Sequence, residues 1–269
     1  MPAVHKCMGN GTRIMNLILF EQWEVDDYCQ VTVFDSRARH VREVLRTPEG
    51  GSLSVGIIGG PKGTAVVSEL RSEYIKLSCD FEDAIPVMPP VDLMLAMPRP
   101  KVTRRLWSQL ASMGVGRIIL TNAARVERNY FDTHVLEPET YRPLLIEGLQ
   151  QARDTILPEV MIRKELKPFI EDELASVFSD SLLIMSDTLA RQGIGDMKIK
   201  AGGRVLLAVG PEGGWVDYER NMFAAHGFRS FRAGLRTLRT DTACVAVLAL
   251  VHEALRESSG AVGRGRLDI

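Results

Sequence analysis

The chain has 269 residues, 45% hydrophobic and 25% charged, with a formal net charge of −1. That is enough for one large domain or two ordinary ones with full cores. It argues against a polyanion binder on bulk charge alone, and no apolar run approaches the roughly 20 residues of a membrane span.

The first residues, MPAVHKCMGNGTRIM, have no continuous apolar core and do not read as a signal peptide. Regular patterning starts at Met15 with MNLILF, so residues 1–15 are read as an N-terminal extension. Cys7, Cys29, Cys79 and Cys244 lie far apart. With no CxxC or Cys/His cluster, the spacing supports neither a metal site nor a disulfide framework, and the default setting is reducing and cytoplasmic.

From residue 16 to 86 the chain reads as short strands broken by turns: VTVFDS, SLSVGII, GTAVVSEL and YIKLSCDF. This pattern predicts a small β-barrel or sandwich. One helical segment interrupts it, SRARHVREVLR, with Val41, Val44 and Leu45 on one side and arginines on the other. The proline-rich AIPVMPP is a linker candidate.

From Val91 the rhythm changes. VDLMLAM, GRIILTN, SLLIMSD, RVLLAVG and FRSFRAG are strand-like. Between them lie helical segments: TRRLWSQLASMG, PETYRPLLIEGLQQARDTI, FIEDELASVF and WVDYERNMFAAHG. Near-continuous apolar strands alternating with helices predict an α/β domain with a mostly parallel sheet. The last helix, Thr240 to Arg256, is apolar almost all round, so it packs on the sheet and on a further surface, for which a second subunit is the economical candidate. Residues 258–269 read as a flexible tail.

Three basic clusters stand out on this nearly neutral chain: Arg37, Arg39, His40, Arg42 and Arg46; Arg99, Lys101, Arg104 and Arg105; and Arg229, Arg232, Arg236 and Arg239. Taken together they favour an anionic partner.

Two loops carry the chemistry. LLAVGPEGGW runs from an apolar strand into GPEGG and then a helix. It is neither a Walker loop nor GxGxxG, but it lies at the carboxyl end of a strand, where open α/β sheets bind ligands. The second loop, FRAGLRTLRTDTACVA, repeats the arrangement, with Thr240 or Asp241 as the cap of the last helix and Arg239 just before its N-terminus, where amide dipoles favour anions.

Together, VGPEGG (Val209–Gly214) and AGLRTLRTDTA (Ala233–Ala243) resemble the SPOUT-class RNA methyltransferases. The match is closest to the RsmE family of small-subunit (16S) rRNA uridine-N3 methyltransferases. RHVREVLR resembles the helix of that family's N-terminal barrel, and LPEV (Leu157–Val160) the stretch after its long helix.

The resemblance implies a SPOUT domain over residues 90–257 whose parallel sheet carries a trefoil knot. It also implies a PUA- or OB-like RNA-binding barrel over 16–86, a homodimer and S-adenosylmethionine as cofactor. No metal is implied. The cofactor would be held by Val209, Gly210, Pro211, Glu212, Gly213 and Gly214 from one loop and by Ala233, Gly234, Thr237 and Leu238 from the other. Arg37, Arg39, Arg42, Arg46 and Arg153 would meet the rRNA.

Methylation at N3 needs loss of the N3 proton. Arg239 is the candidate for stabilising the anionic ring, and Asp241 the candidate proton acceptor or, equally, only a helix cap; Glu212 is the alternative. Departures from the family pattern are Asp241 for its usual Glu, Leu235 for its usual Pro, and QQARD at Gln150–Asp154. Rival readings are a methyltransferase of another rRNA or tRNA base and an RNA-binding assembly protein without catalysis.

Overall fold

The computed structural model of the chain describes residues 17–264. The extension expected over residues 1–15 lies outside them. The chain divides into two compact units: the described residues up to Pro86 together with Arg153–Thr155, and Val87–Ala152 together with the residues from Ile156 on.

The first unit is built on five strands: β1 (Ile18–Phe20), β2 (Gln30–Val33), β3 (Ser52–Ile57), β4 (Lys62–Leu70) and β5 (Ile75–Phe81), in the order β1-β3-β4-β5-β2. β1 pairs with β3 in parallel and the remaining pairs are antiparallel. Alternation along β4 and β5 sends Ala65, Val67, Ile75 and Leu77 into a core with Phe20, Val31, Leu53 and Val55, while intervening residues face outward.

The arginine-rich helix starts as α1 (Ser36–Arg39), capped by Asp35, whose side chain accepts from the Arg37 N–H. It continues as a π-helical turn, His40–Leu45. The wider turn moves Val44 off the face that Val41 and Leu45 share. Val41 is fully buried and Val44 is 65% exposed, contrary to the helical reading that put both on the apolar side. Residues 153–155 complete this unit: the Gly59 N–H donates to Thr155 O (2.8 Å) and Thr155 Oγ1 donates to Gly60 O (2.6 Å).

The second unit is α/β with a six-stranded sheet, parallel throughout as expected. Its strands are β6 (Val91–Ala96), β7 (Val115–Thr121), β8 (Glu159–Arg163), β9 (Ser181–Ser186), β10 (Arg204–Val209) and β11 (Arg229–Phe231), in the order β11-β9-β10-β6-β7-β8. Every residue of β6 is buried, which requires cover on both faces. Its one charged side chain, Asp92, is fully buried and meets Arg204 Nη2 at 2.8 Å and Arg117 Nη1 at 3.8 Å. Burial still pushes the Asp92 carboxyl above its ordinary range against the pull of both arginines.

Helix α2 (Pro100–Ser112) starts with proline at its first position, where no amide hydrogen is needed, and buries Leu106, Trp107 and Leu110. It packs on α3 (Pro138–Ala152) at Gly148, where any Cβ would collide with the Ser108 carbonyl. α3 ends at Ala152, short of the Ile156 that the helical spacing suggests, because Arg153 takes a left-handed conformation (φ 56°) that cannot continue a helix. FIEDELASVF is not one regular helix but α4 (Leu166–Pro168), a π-helical turn over Phe169–Glu173 and α5 (Leu174–Val177).

α6 (Asp217–Ala225) follows the first glycine loop and α7 (Thr240–Arg264) the second. The tail expected from residue 258 is therefore helical as far as Arg264. α7 buries one face, through Cys244, Val247, Leu248, Val251 and Leu255, and leaves Val245, Ala246 and Leu250 partly covered.

Candidate functional site

Three loops leave the carboxyl ends of three adjacent strands, β11, β9 and β10, where a parallel sheet presents its binding crevice. They enclose a cavity of about 500 Å³, within the range of small-ligand sites.

The first wall is Val209–Gly214. The Gly214 N–H donates to Pro211 O (2.8 Å), closing a tight turn, and Gly214 sits at φ 71°, where a side chain would be strained. Trp215 drops into the core, 1% exposed, with its ring edge-on to Phe223 at 4.8 Å. Beyond it, the buried Glu219 accepts from the Val216 N–H (2.9 Å) and from the Ala124 N–H (2.7 Å), tying the start of α6 to the segment after β7. Arg125, from that segment, donates to the Gly213 carbonyl.

The second wall is Arg232–Leu238. Gly234 has φ 138°, and nothing lies within 4 Å of where its Cβ would be, so backbone borders open space here as at Gly214. The third wall, Ser186–Leu189 after β9, has no counterpart in the sequence reading. Asp187 accepts from the Leu189 N–H (3.0 Å) and from Arg220 Nε (2.7 Å). Thr240, Ala243 and Val247 of α7 complete the lining.

All ten residues expected to hold the cofactor line this one cavity: Val209, Gly210, Pro211, Glu212, Gly213, Gly214, Ala233, Gly234, Thr237 and Leu238. Exposed backbone beside glycines that carry no blocking atoms suits a flat ring and a ribose, so the residues present fit S-adenosylmethionine. Sequence reasoning missed Arg125, Asp187, Trp215 and Arg220, which also line the cavity. Arg232 and Arg236, noted before only as part of a basic cluster, line it as well.

The two expected catalytic residues stand at the start of α7. Neither Arg239 nor Asp241 is part of the lining. The first helical bond of α7 runs from the Ala243 N–H to Arg239 O (2.7 Å), which puts Arg239, not Thr240 or Asp241, at the cap position. Asp241 lies inside the first turn, accepting from the Thr242 N–H (3.0 Å) and from Arg105 Nη2 (2.8 Å), with Arg239 Nε 3.8 Å away. Nearby, burial and then the Asp241 charge push the Cys244 thiol up to about 12, so it stays protonated and is no nucleophile.

Of the arginines expected to meet RNA, Arg37 is engaged inside the first unit. Its guanidinium bonds Glu24, Asp35 and Leu19 O, and it is no free phosphate contact. Arg42 donates to Arg71 O (2.9 Å). Arg39, Arg46 and Arg153 are exposed; among the described residues Arg46 makes a long bond to Glu43 O (3.4 Å), and Arg153 one to Ser54 Oγ (3.3 Å).

Among the described residues no helix is long and apolar enough to cross a membrane, and no group of three or more His, Cys, Asp or Glu could hold a metal ion.

Residues 86–252 match the family model described as an RNA methyltransferase domain. The chain is 34% identical over 249 residues to ribosomal RNA small subunit methyltransferase E of Treponema pallidum, covering 88% of this chain and 92% of that one. It is 24% identical over 243 residues to ribosomal RNA small subunit methyltransferase E 1 of Borreliella burgdorferi, covering 90% and 99%. In fold it is similar to the crystal structure of ribosomal RNA small subunit methyltransferase E from Neisseria gonorrhoeae bound to S-adenosyl methionine. That match has a TM-score of 0.70 and 19% identity, over 89% of this chain and 97% of that one.

Proposed function

The chain belongs to the RNA methyltransferase family, among the small-subunit rRNA methyltransferases E, and from that premise we propose that it methylates N3 of a uridine in small-subunit rRNA. It is an S-adenosylmethionine-dependent rRNA methyltransferase. The observation that carries the cofactor assignment is that Pro211 and Leu238, from two separate glycine loops, line one cavity.

Bound S-adenosylmethionine supplies an electrophilic methyl group on a positively charged sulfur. The chain must orient N3 towards it, take up the N3 proton and stabilise the negative charge that spreads over the ring. Main-chain groups of 209–214 and 233–238 hold and orient. Glu212, in place of Asp241, is the candidate proton acceptor. Asp241 is held by Arg105 outside the lining, whereas Glu212 borders the cavity, is exposed and has no partner among the described residues. Arg239, exposed at the start of α7 with Asp241 3.8 Å away, is the candidate for the ring oxygens or a flanking phosphate.

The finer features follow the same reading. The paired loop motifs Val209–Gly214 and Ala233–Ala243, with the match to small-subunit rRNA methyltransferases E, support a trefoil knot in the C-terminal unit. The five-stranded sheet supports a PUA- or OB-like barrel, with Arg39, Arg46 and Arg153 as its phosphate contacts. The partly covered Val245 and Leu250 support a homodimer, and an rRNA substrate supports a cytoplasmic setting.

The test is transfer of a labelled methyl group to unmodified small-subunit particles, followed by nucleoside analysis. Label in N3-methyluridine bears the proposal out. Label in another nucleoside moves the target, and no transfer with the donor bound favours a non-catalytic RNA-binding protein.

A further inference from the structure

The cavity carries an imbalance of charge. Four arginines line it, Arg125, Arg220, Arg232 and Arg236, against two carboxylates, Asp187 and Glu212. Two of the four are committed: Arg220 to Asp187 (2.7 Å) and to Asp217 (2.9 Å), and Arg125 to the Gly213 carbonyl. Arg232 and Arg236 have no side-chain partner among the described residues, and both are exposed.

We propose that Arg232 and Arg236 form a seat for an anion at the mouth of the cavity, and that its occupant is a backbone phosphate of the substrate RNA next to the target nucleotide. This rests on the methyltransferase reading. A guanidinium keeps its charge at any working pH and matches two phosphate oxygens at once, so two of them left unpaired beside a cavity favour an anion strongly. The shared chemistry also fits the cofactor's carboxylate. Position favours the phosphate: Val209, Asp187, Trp215, Thr240 and Val247 are among the buried part of the lining, whereas Arg232 and Arg236 are exposed and open to a polymer in solvent. Phosphate contacts set register without reading sequence, and here they would bring the target base to the methyl donor after it leaves its stack.

The test compares wild type with Arg232→Ala, Arg236→Ala and the corresponding lysine variants. Binding of an unmodified small-subunit rRNA transcript is measured from about 50 to about 300 mM salt, and binding of S-adenosylmethionine by calorimetry. Each alanine variant is expected to weaken RNA binding roughly tenfold at ~0.1 M salt and to lower the salt slope by about 1. The lysine variants should restore the slope, and cofactor affinity should stay within about twofold. Unchanged RNA affinity and slope in both alanine variants would overturn the proposal. Lost cofactor affinity with an unchanged slope would assign the seat to the cofactor's carboxylate instead. If wild type bound the transcript but never methylated it, the methyltransferase reading would fail while the slopes still reported on the seat.

Discussion

Nη2 of Arg105, in α2, lies 2.8 Å from Oδ2 of Asp241, in the first turn of α7, and joins residues 136 positions apart. Asp241 is tied to Arg105, with Arg239 3.8 Å away, and does not line the cavity, so it is poorly placed to take the N3 proton. Asp241→Asn should therefore lower methyl transfer less than about tenfold and leave the shape of its pH profile unchanged. Loss of a true general base costs on the order of 10²–10⁴. Single-turnover rates across pH 6–9 decide. A fall of a hundredfold or more would restore Asp241 as the base.

How far the sequence revealed this site depends on which contacts are local. Both glycine loops were readable because each follows an apolar strand and opens a helix, within a dozen residues. The Arg105–Asp241 pair was not, since no local pattern links residues so far apart. The Ser186–Leu189 wall was hidden differently: SLLIMSD reads as a strand, but only the order β11-β9-β10 puts its end beside the glycine loops. β8 escaped notice because Glu159–Arg163 is an edge strand, only partly buried, whose apolar run is just three residues, Val160, Met161 and Ile162, between charged ones. The surroundings of Arg37 and Val44, within one helix, were not legible either. Arg37 reaches back to Glu24, and the π-turn rotates Val44 outward.

Glu219 holds two backbone N–H groups from different segments, Val216 and Ala124, while only 3% exposed. Removing it leaves two donors without their charged acceptor. Glu219→Ala should cost about 3 kcal/mol, seen as a melting temperature lower by roughly 6–12 °C for a unit of this size. Glu212→Ala, at an exposed position, should change stability by less than ~0.5 kcal/mol. Equal melting temperatures for the two variants would show that Glu219 does not anchor the loop.

The first unit should show an acid-sensitive transition centred on Arg37. Burial pushes the Glu24 and Asp35 carboxyls up, but hydrogen bonds and charge from Arg37 outweigh it, and both end below their ordinary values of 4.5 and 3.8. A depressed carboxyl stabilises the fold above its unfolded pKa, and that stability is lost as pH falls through the folded one. The melting temperature of this unit should thus be level from pH 5 to 7 and fall below about pH 4. Arg37→Gln should melt lower at pH 7 and lose less on acidification. Parallel curves for the two proteins would show that Arg37 is not the partner that matters.

The central claim is that two glycine loops make one cradle for a methyl donor, and calorimetric titration with S-adenosylmethionine tests it most directly. Wild type should bind one molecule per chain. Gly214→Val, which forces a branched side chain into φ 71° beside the cavity, should lose at least tenfold in affinity while its circular dichroism stays native. No heat of binding to wild type, or wild-type affinity in the folded variant, would contradict the claim.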